Sequence, residues 1–387
     1  MSQFFKELKW YPPAETKIQL SSIFSAFFPS DSDFAIKFCN YLNVDKCVLG
    51  NSGRALLALL LKALHEKDES QRDEVLIPGY TCYSVAASVV RAGLNIGVYD
   101  LNPSTLEPDL DSIIKAVGSK TLAIIVQHLC GIPIPVEDTK RIAKTNHAYV
   151  IEDAAQALGG GLSGQHCGTT GDFGFFSFGR GKPLPLGGGG AVIGKDPEIF
   201  SDLRLKSNGK GYAKLIQTAA TQLMSMHCLY HIPEMLPLGL GETVFDPSFL
   251  VSGMPMLMQN LAANSISTLD DVNSHRRQIA GIYGEILDDD CIFSAIEEAR
   301  PVYTRFPIIA AQDLISKELK RLGVRRMYPE AIVDEGTIKP YLCAQVEATP
   351  GSRFIAKNLI TLPTHLGISE KLAVKIARLI NENCQRM

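Results

Sequence analysis

The sequence predicts an α/β protein: a mostly parallel central sheet flanked by helices, with a smaller C-terminal α+β domain. Three observations carry that expectation. From about residue 50, short apolar runs alternate with helical stretches, a pattern that calls for right-handed crossovers and parallel strands. At 387 residues the chain is long for one core, so two domains of unequal size are expected. Between about residues 213 and 258 the texture changes, and Pro233, Pro237, Gly239, Gly241, Pro247, Gly253 and Pro255 cluster with methionines in what reads as an irregular connection. The expected division is 1–250 for the larger domain and 251–387 for the smaller.

Taken in order, Arg54–Glu66 is rich in Leu and Ala and reads as a helix. Glu74–Pro78 is a short apolar strand closed by Pro-Gly, Ser84–Ala92 a helix, and Asn95–Tyr99 a strand ended by Asp100-Leu-Asn-Pro. Leu110–Val117 reads as an amphipathic helix, Leu122–Gln127 as a buried strand, Val136–Lys144 as a helix and Ala148–Glu152 as a strand. Ala191–Gly194 follows as another strand. Beyond the irregular connection, Leu261–Leu287 is a long helical stretch, continuous or broken. The tail reads as strand Val302–Ala310, helix Asp313–Leu322, strand Leu359–Leu362 and helix Glu370–Asn383. Ligands of such sheets sit at the carboxyl ends of strands, where Asp100, Gln127, His128 and Asp153 all fall.

Composition narrows the function classes. Hydrophobic content of 46% with 20% charged is ordinary for a globular protein and argues against disorder. The 38 basic and 41 acidic residues form no basic stripe, which makes nucleic acid an unexpected partner. The 9 cysteines are odd in number, scattered and without a C-x-x-C pair, so free thiols in a reducing, cytoplasmic setting are expected rather than disulfides or a metal site. The opening Met-Ser-Gln-Phe-Phe-Lys has no signal-peptide core, and windows such as Leu56–Leu64 and Thr121–Leu129 are too short to span a membrane.

The residues that carry chemistry are Asp153, in Val150-Ile-Glu-Asp-Ala-Ala-Gln156, and Lys182, in Phe176-Ser-Phe-Gly-Arg-Gly-Lys-Pro183. An acid ending an apolar strand and a lysine in a Ser/Gly-rich loop are what pyridoxal phosphate (PLP) requires. The carboxylate keeps the ring nitrogen protonated, and the amine holds the aldehyde as a Schiff base. Either residue alone has a plainer reading, a strand-end turn for Asp153 and a solvated charge for Lys182. Phe175, Phe176, Phe178, Leu184 and Leu186 argue that the lysine loop is buried, and Gly187–Gly190 permits close backbone approach. Gly50-Asn-Ser-Gly-Arg-Ala55 opens a helix, so Ser52, Gly53 and Arg54 form either a phosphate turn or a simple cap. Ala154, Ala155 and Ala157 leave a flat surface beside Gln156, suited to a planar ring or to close helix packing. His128 is either a residue over that ring or a satisfied strand-end histidine. Asn208, before Gly209, reads as part of an ordinary turn. Gly159-Gly-Gly-Leu-Ser-Gly164 matches G-x-G-x-x-G but leads into a loop instead of a helix, which rejects a dinucleotide site.

From about residue 45 onward these blocks resemble the DegT/StrS family of PLP-dependent sugar aminotransferases, a branch of the fold-type I enzymes. The resemblance rests on Glu152-Asp-Ala-Ala-Gln-Ala157, Gly171-Asp-Phe-Gly-Phe-Phe-Ser-Phe178, Val75-Leu-Ile-Pro-Gly-Tyr-Thr81, His128-Leu-Cys-Gly131, the spacing to Lys182 and, more loosely, Leu362-Pro-Thr-His365. It implies Lys182 as the Schiff-base lysine, Asp153 as the ring-nitrogen partner and Gln156 on the ring's hydroxyl side. It also implies phosphate contacts from Ser177 and the Gly53-Arg54 turn. Asn208 matches an asparagine that reaches the phosphate of a neighbouring subunit, which implies a homodimer with shared active sites. There are three departures. Cys82 stands where an aromatic residue stacks on the cofactor, with Tyr80 or Tyr83 as substitutes. Gly188 replaces a glutamate, and Val333 stands where a histidine often follows the Tyr-Pro pair.

The function the resemblance implies is transfer of an amino group from glutamate or glutamine to a keto-sugar, expected to be nucleotide-linked. The alternatives are a catalytically altered PLP-fold protein, serving as a regulatory or partner subunit, and a PLP-dependent sugar dehydratase. The lysine at 182 favours transamination over dehydration.

Overall fold

The computed structural model describes residues 9–15, 17–28, 33–206, 209–226, 229–231, 234, 243–294, 296–344 and 348–384. Its centre is a seven-stranded sheet built from β1 (Cys47–Gly50), β2 (Glu74–Pro78), β3 (Asn95–Tyr99), β4 (Thr121–Gln127), β5 (Tyr149–Asp153), β8 (Phe173–Ser177) and β9 (Gly190–Gly194). The order is β1-β9-β8-β5-β4-β2-β3. Pairing is parallel from β3 through β8, and only β9 runs against its neighbours. The expected mostly parallel α/β sheet is therefore present, and β2 and β3 begin and end at the expected residues.

The period-2 alternation of these strands builds two cores. Ala123 and Ile125 of β4 pack with Leu56, Leu57 and Leu60 of the Gly53–Lys67 helix. Ile124 and Val126 pack on the other face with Tyr80, Tyr99 and Leu129. Every residue of β4 is buried, and each such aliphatic side chain is worth about 1.5–3 kcal/mol. A third core gathers Phe34, Phe38, Phe176 and Phe178 with Leu257 and Leu261. Phe38 meets Phe176 edge-on at 5.2 Å.

A second, three-stranded sheet pairs β11 (Phe306–Ile309) and β12 (Arg325–Arg326) with β13 (Leu359–Leu362). The Glu370–Cys384 helix covers it through Ile376 and Ile380 in a core shared with Ile279 and Tyr283. N-terminal Tyr11 also packs there.

Several elements depart from expectation. Residues 213–258 are not irregular throughout, because Tyr212–Met224 is a helix with Leu215 and Thr218 buried. The prolines that signalled a connection all lie beyond it. The 261–287 stretch is two helices, Met256–Ser265 and Leu269–Ile286, joined by a tight turn at Ile266–Thr268. Strand 302–310 shortens to β11, and helix 313–322 to Lys317–Arg321, capped by Ser316. The Phe-rich segment before Lys182 is itself strand β8, in the middle of the sheet. The Gly159 loop forms a small hairpin, β6 (Gly161–Leu162) with β7 (Gln165–His166), and opens no helix. The remaining short strand, β10 (Ala299–Arg300), pairs with β6. Among the described residues no helix is long and apolar enough to cross a membrane.

Candidate active site

The carboxyl ends of β8, β5, β4 and β2 lie side by side, and the chain turns there supply the site. Strand alternation sends the consecutive acids of β5 to opposite faces. Glu152 faces the loop 168–171, where it accepts from the N–H groups of Gly168 at 2.8 Å and Thr170 at 2.6 Å, and also from Gly171. His128 Nε2 meets it at 2.9 Å. The Ile134 N–H donates to His128 Nδ1 at 3.2 Å, which leaves the imidazole proton on Nε2, facing the carboxylate. Burial alone would raise Glu152, but the hydrogen bonds from His128, Gly171 and Gly168 outweigh it and hold the carboxyl below its usual range. Of its two readings, His128 is thus the satisfied strand-end histidine.

Asp153, on the other face, accepts one short-range bond among the described residues, from the Ala155 N–H at 3.0 Å. Burial pushes its carboxyl up, and the charge of Lys182 is the largest influence opposing that shift. The two residues that motivated the site are therefore electrostatic neighbours. Lys182 lines a cleft of about 640 Å³ with Gln156, Cys82, Thr304, Arg305 and Tyr328. The Gln156 amide donates to the Tyr328 hydroxyl at 3.1 Å, and Thr304 Oγ1 donates to its carbonyl at 3.2 Å.

The glycine turn lies beside the end of β8. Ser52 caps the 15-residue Gly53–Lys67 helix, accepting from the Ala55 N–H at 3.2 Å. A Cβ on Gly53 would sit 2.9 Å from the Phe176 carbonyl and 3.1 Å from Ser177 Cβ, so only glycine lets this helix start so close to Ser177. Gly190 presses on the same turn, its hypothetical Cβ falling 2.5 Å from Gly53 N. Arg54 turns away and lies over the Phe249 ring at 4.7 Å.

Other expected residues fall elsewhere. Tyr80 is fully buried, with its hydroxyl accepting from Tyr328 N at 3.0 Å, and Gln127 donates to its carbonyl at 2.6 Å. Tyr83 is likewise buried, accepting from Glu330 N at 3.1 Å. Of this segment, Cys82 lines the cleft beside Lys182. Asp100 is spent on the Pro350–Asn358 helix, accepting from Gly351 N at 2.8 Å and Ser352 N at 2.7 Å. Val333 is part-buried against two apolar clusters, and the Lys214 side chain lies against Gly188. Asn208 lies outside the described residues. Thr304, Arg305, Arg325 and Tyr328 also form the cleft, yet sequence reading passed over them as site residues. Thr304 and Arg305 sit just before the apolar strand β11, and Arg325 lies in the short strand β12.

These residues fit PLP. The turn at Ser52–Arg54 offers N–H groups and the positive end of a helix dipole to a phosphate beside the Ser177 hydroxyl. Asp153 offers a carboxylate to a ring nitrogen, and Lys182 an amine to an aldehyde.

Comparison with known proteins gives the family. An L-glutamine:2-deoxy-scyllo-inosose aminotransferase of Streptomyces kanamyceticus is 35% identical over 180 residues, covering 46% of this chain and 42% of that one. A dTDP-4-dehydro-2,3,6-trideoxy-D-glucose 4-aminotransferase of Saccharopolyspora spinosa is 32% identical over 44% of each chain. The matches thus span under half the length of these relatives. A GDP-perosamine synthase of Escherichia coli O157:H7 is 24% identical over 90% of this chain and 88% of its own. Among solved structures, Streptomyces venezuelae DesV, in complex with a ketimine intermediate, shares the fold at a TM-score of 0.75 and 21% identity, over 95% of this chain and 94% of that one. The model of the DegT/DnrJ/EryC1/StrS aminotransferase family matches residues 16–381, and the chain belongs to that family.

Proposed function

We propose that this protein is a PLP-dependent aminotransferase that passes an amino group from glutamate or glutamine to a nucleotide-linked keto-sugar. The observation that carries the proposal is the convergence of Asp153, Lys182 and the Ser52–Gly53/Ser177 turn on one side of the sheet. When bound, PLP would supply an electron sink for labilising a bond at the substrate's amine-bearing carbon. The chain's own residues have distinct tasks. Asp153 would hold a proton on the ring nitrogen, and its burial strengthens that contact. Lys182 would carry the cofactor and, once released, move a proton as base and then as acid. Gln156, fixed by Tyr328 and Thr304, would orient the ring from its hydroxyl side. Ser52, Gly53 and Ser177 would bind the phosphate.

A sugar acceptor is supported by the relatives that act on dTDP- and UDP-linked sugars. A nucleotide-linked one is further supported by the cations lining the cleft, Arg180, Arg305, Lys320, Arg325 and Arg326, which suit a diphosphate.

We also propose a homodimer. An apolar face supports it: Phe24, Phe27, Phe28, Tyr212 and Ile216 are each more than half exposed. The helices carrying Phe24 and Ile216 both pack on Met256–Ser265.

The purified protein should be yellow with bound cofactor, and glutamate should bleach it. Lys182→Ala should abolish both the visible band and transfer while leaving the fold intact. A colourless protein that ignores added PLP sinks the proposal, and bound cofactor without turnover on any donor would favour a regulatory or partner subunit.

A further inference from the structure

The cleft holds several cations, and most of them are spoken for. Arg325 pairs with Glu234 at 2.9 Å, Arg326 donates to the carbonyls of Pro329 at 3.0 Å and Ala356 at 3.3 Å, and Arg180 lies over the Tyr230 ring at 5.8 Å. Arg305 differs. It lines the cleft, yet among the described residues it makes no hydrogen bond and no ion pair. The groups that act on its charge are Cys130, Tyr328, Tyr230 and a second cation, Arg325, with no carboxylate among them. Burial holds its guanidinium below the usual arginine range. A part-buried cation beside another cation is costly unless an anion meets it there.

Its place in the site is equally specific. Cys130 lies in the electrostatic range of both Lys182 and Arg305. The preceding residue, Thr304, donates to Gln156. Arg305 is therefore carried on the same short segment that fixes Gln156, and it lines the same cleft as Lys182.

We propose that Arg305 anchors a substrate oxyanion in this cleft, either the carboxylate of the amino donor or a phosphate of the acceptor. The planar fork of a guanidinium suits both groups, and its position on rigid β11-flanking backbone would fix the bound substrate's orientation toward Lys182. The inference rests on the transamination reading for its ligands, although its test does not need turnover.

The test is calorimetric titration of the PLP-loaded protein with succinate and, separately, with inorganic pyrophosphate. Arg305→Gln should weaken one probe by about ten- to a hundredfold, the range expected when one charge-assisted pair is lost. Arg305→Lys should restore part of that loss. Loss of succinate binding assigns the donor carboxylate, and loss of pyrophosphate binding assigns the acceptor phosphate. The idea is overturned if Arg305→Gln binds both probes as the unaltered protein does, or if the unaltered protein binds neither. An unchanged urea midpoint in both variants shows that the fold is intact. Failure of glutamate to bleach the unaltered protein would instead count against transamination, leaving the probe titrations to judge Arg305.

Discussion

Glu152 and His128 meet at 2.9 Å on the face of β5 opposite Asp153, so adjacent acids on one strand serve different ends. Glu152 is a structural acceptor of four hydrogen bonds, and its folded carboxyl titrates below its ordinary value of 4.5. A carboxyl depressed by folding contributes stability above its unfolded value and loses it as pH falls through the folded one. Urea unfolding of the unaltered protein should therefore weaken below about pH 4.5, and Glu152→Gln should flatten that limb. At neutral pH the same variant should be destabilised by about 1.5–3 kcal/mol, the loss of a hydrogen-bonded charge. An unchanged acid limb would show that Glu152 does not set it.

Asp153 should behave in the opposite way. Its carboxyl is raised by burial and opposed by Lys182, so removing its charge relieves desolvation instead of breaking a network. Asp153→Asn should leave the urea midpoint within about 1 kcal/mol while lowering turnover at least about a hundredfold, as expected for a lost electrostatic contact at the reacting group. Single-turnover bleaching by glutamate measures this, and near-normal bleaching would remove Asp153 from its role.

Gln156 is held by Tyr328 at 3.1 Å and Thr304 at 3.2 Å. Tyr328→Phe deletes the first bond and keeps the ring. PLP affinity should fall several-fold, in line with about 1 kcal/mol for one neutral hydrogen bond, and fluorescence titration of the apo-protein with PLP would read it. Equal affinity would mean that Gln156 is fixed without the tyrosine.

How much of this was legible in the chain depended on whether a feature was local. β2 and β3 have short apolar runs with clear stops, and both were read at their true ends. Asp153 and Lys182 stand out in the sequence because the chemistry of each is carried by its immediate neighbours. Residue order could not say which of Tyr80, Cys82 and Tyr83 faces the cleft. That is decided by backbone groups at 328–330, some 250 positions away, which bind both tyrosine hydroxyls. Arg305 was invisible for the same reason, since the groups that act on its charge come from several distant segments. The Tyr212–Met224 helix was missed because its exposed Ile216, Leu223 and Met224 blur the periodicity expected of a surface helix.

Those same residues give the last prediction. An exposed helix with Ile216 67% accessible, beside Phe24 at 69% and Tyr212 at 51%, is poorly suited to face water. If a second copy covers it, Ile216→Asp should bury a charge in that interface while costing the isolated chain almost nothing, because the side chain is solvated there. Sedimentation should then show a shift from dimer to monomer with the circular-dichroism spectrum unchanged. Because Asn208, which by resemblance reaches the phosphate of a neighbouring subunit, shortly precedes the Tyr212–Met224 helix in the chain, the monomer should also bind PLP more weakly. A variant that stays dimeric, or an unaltered protein that sediments as a monomer, would mean that this apolar face is not the dimer contact.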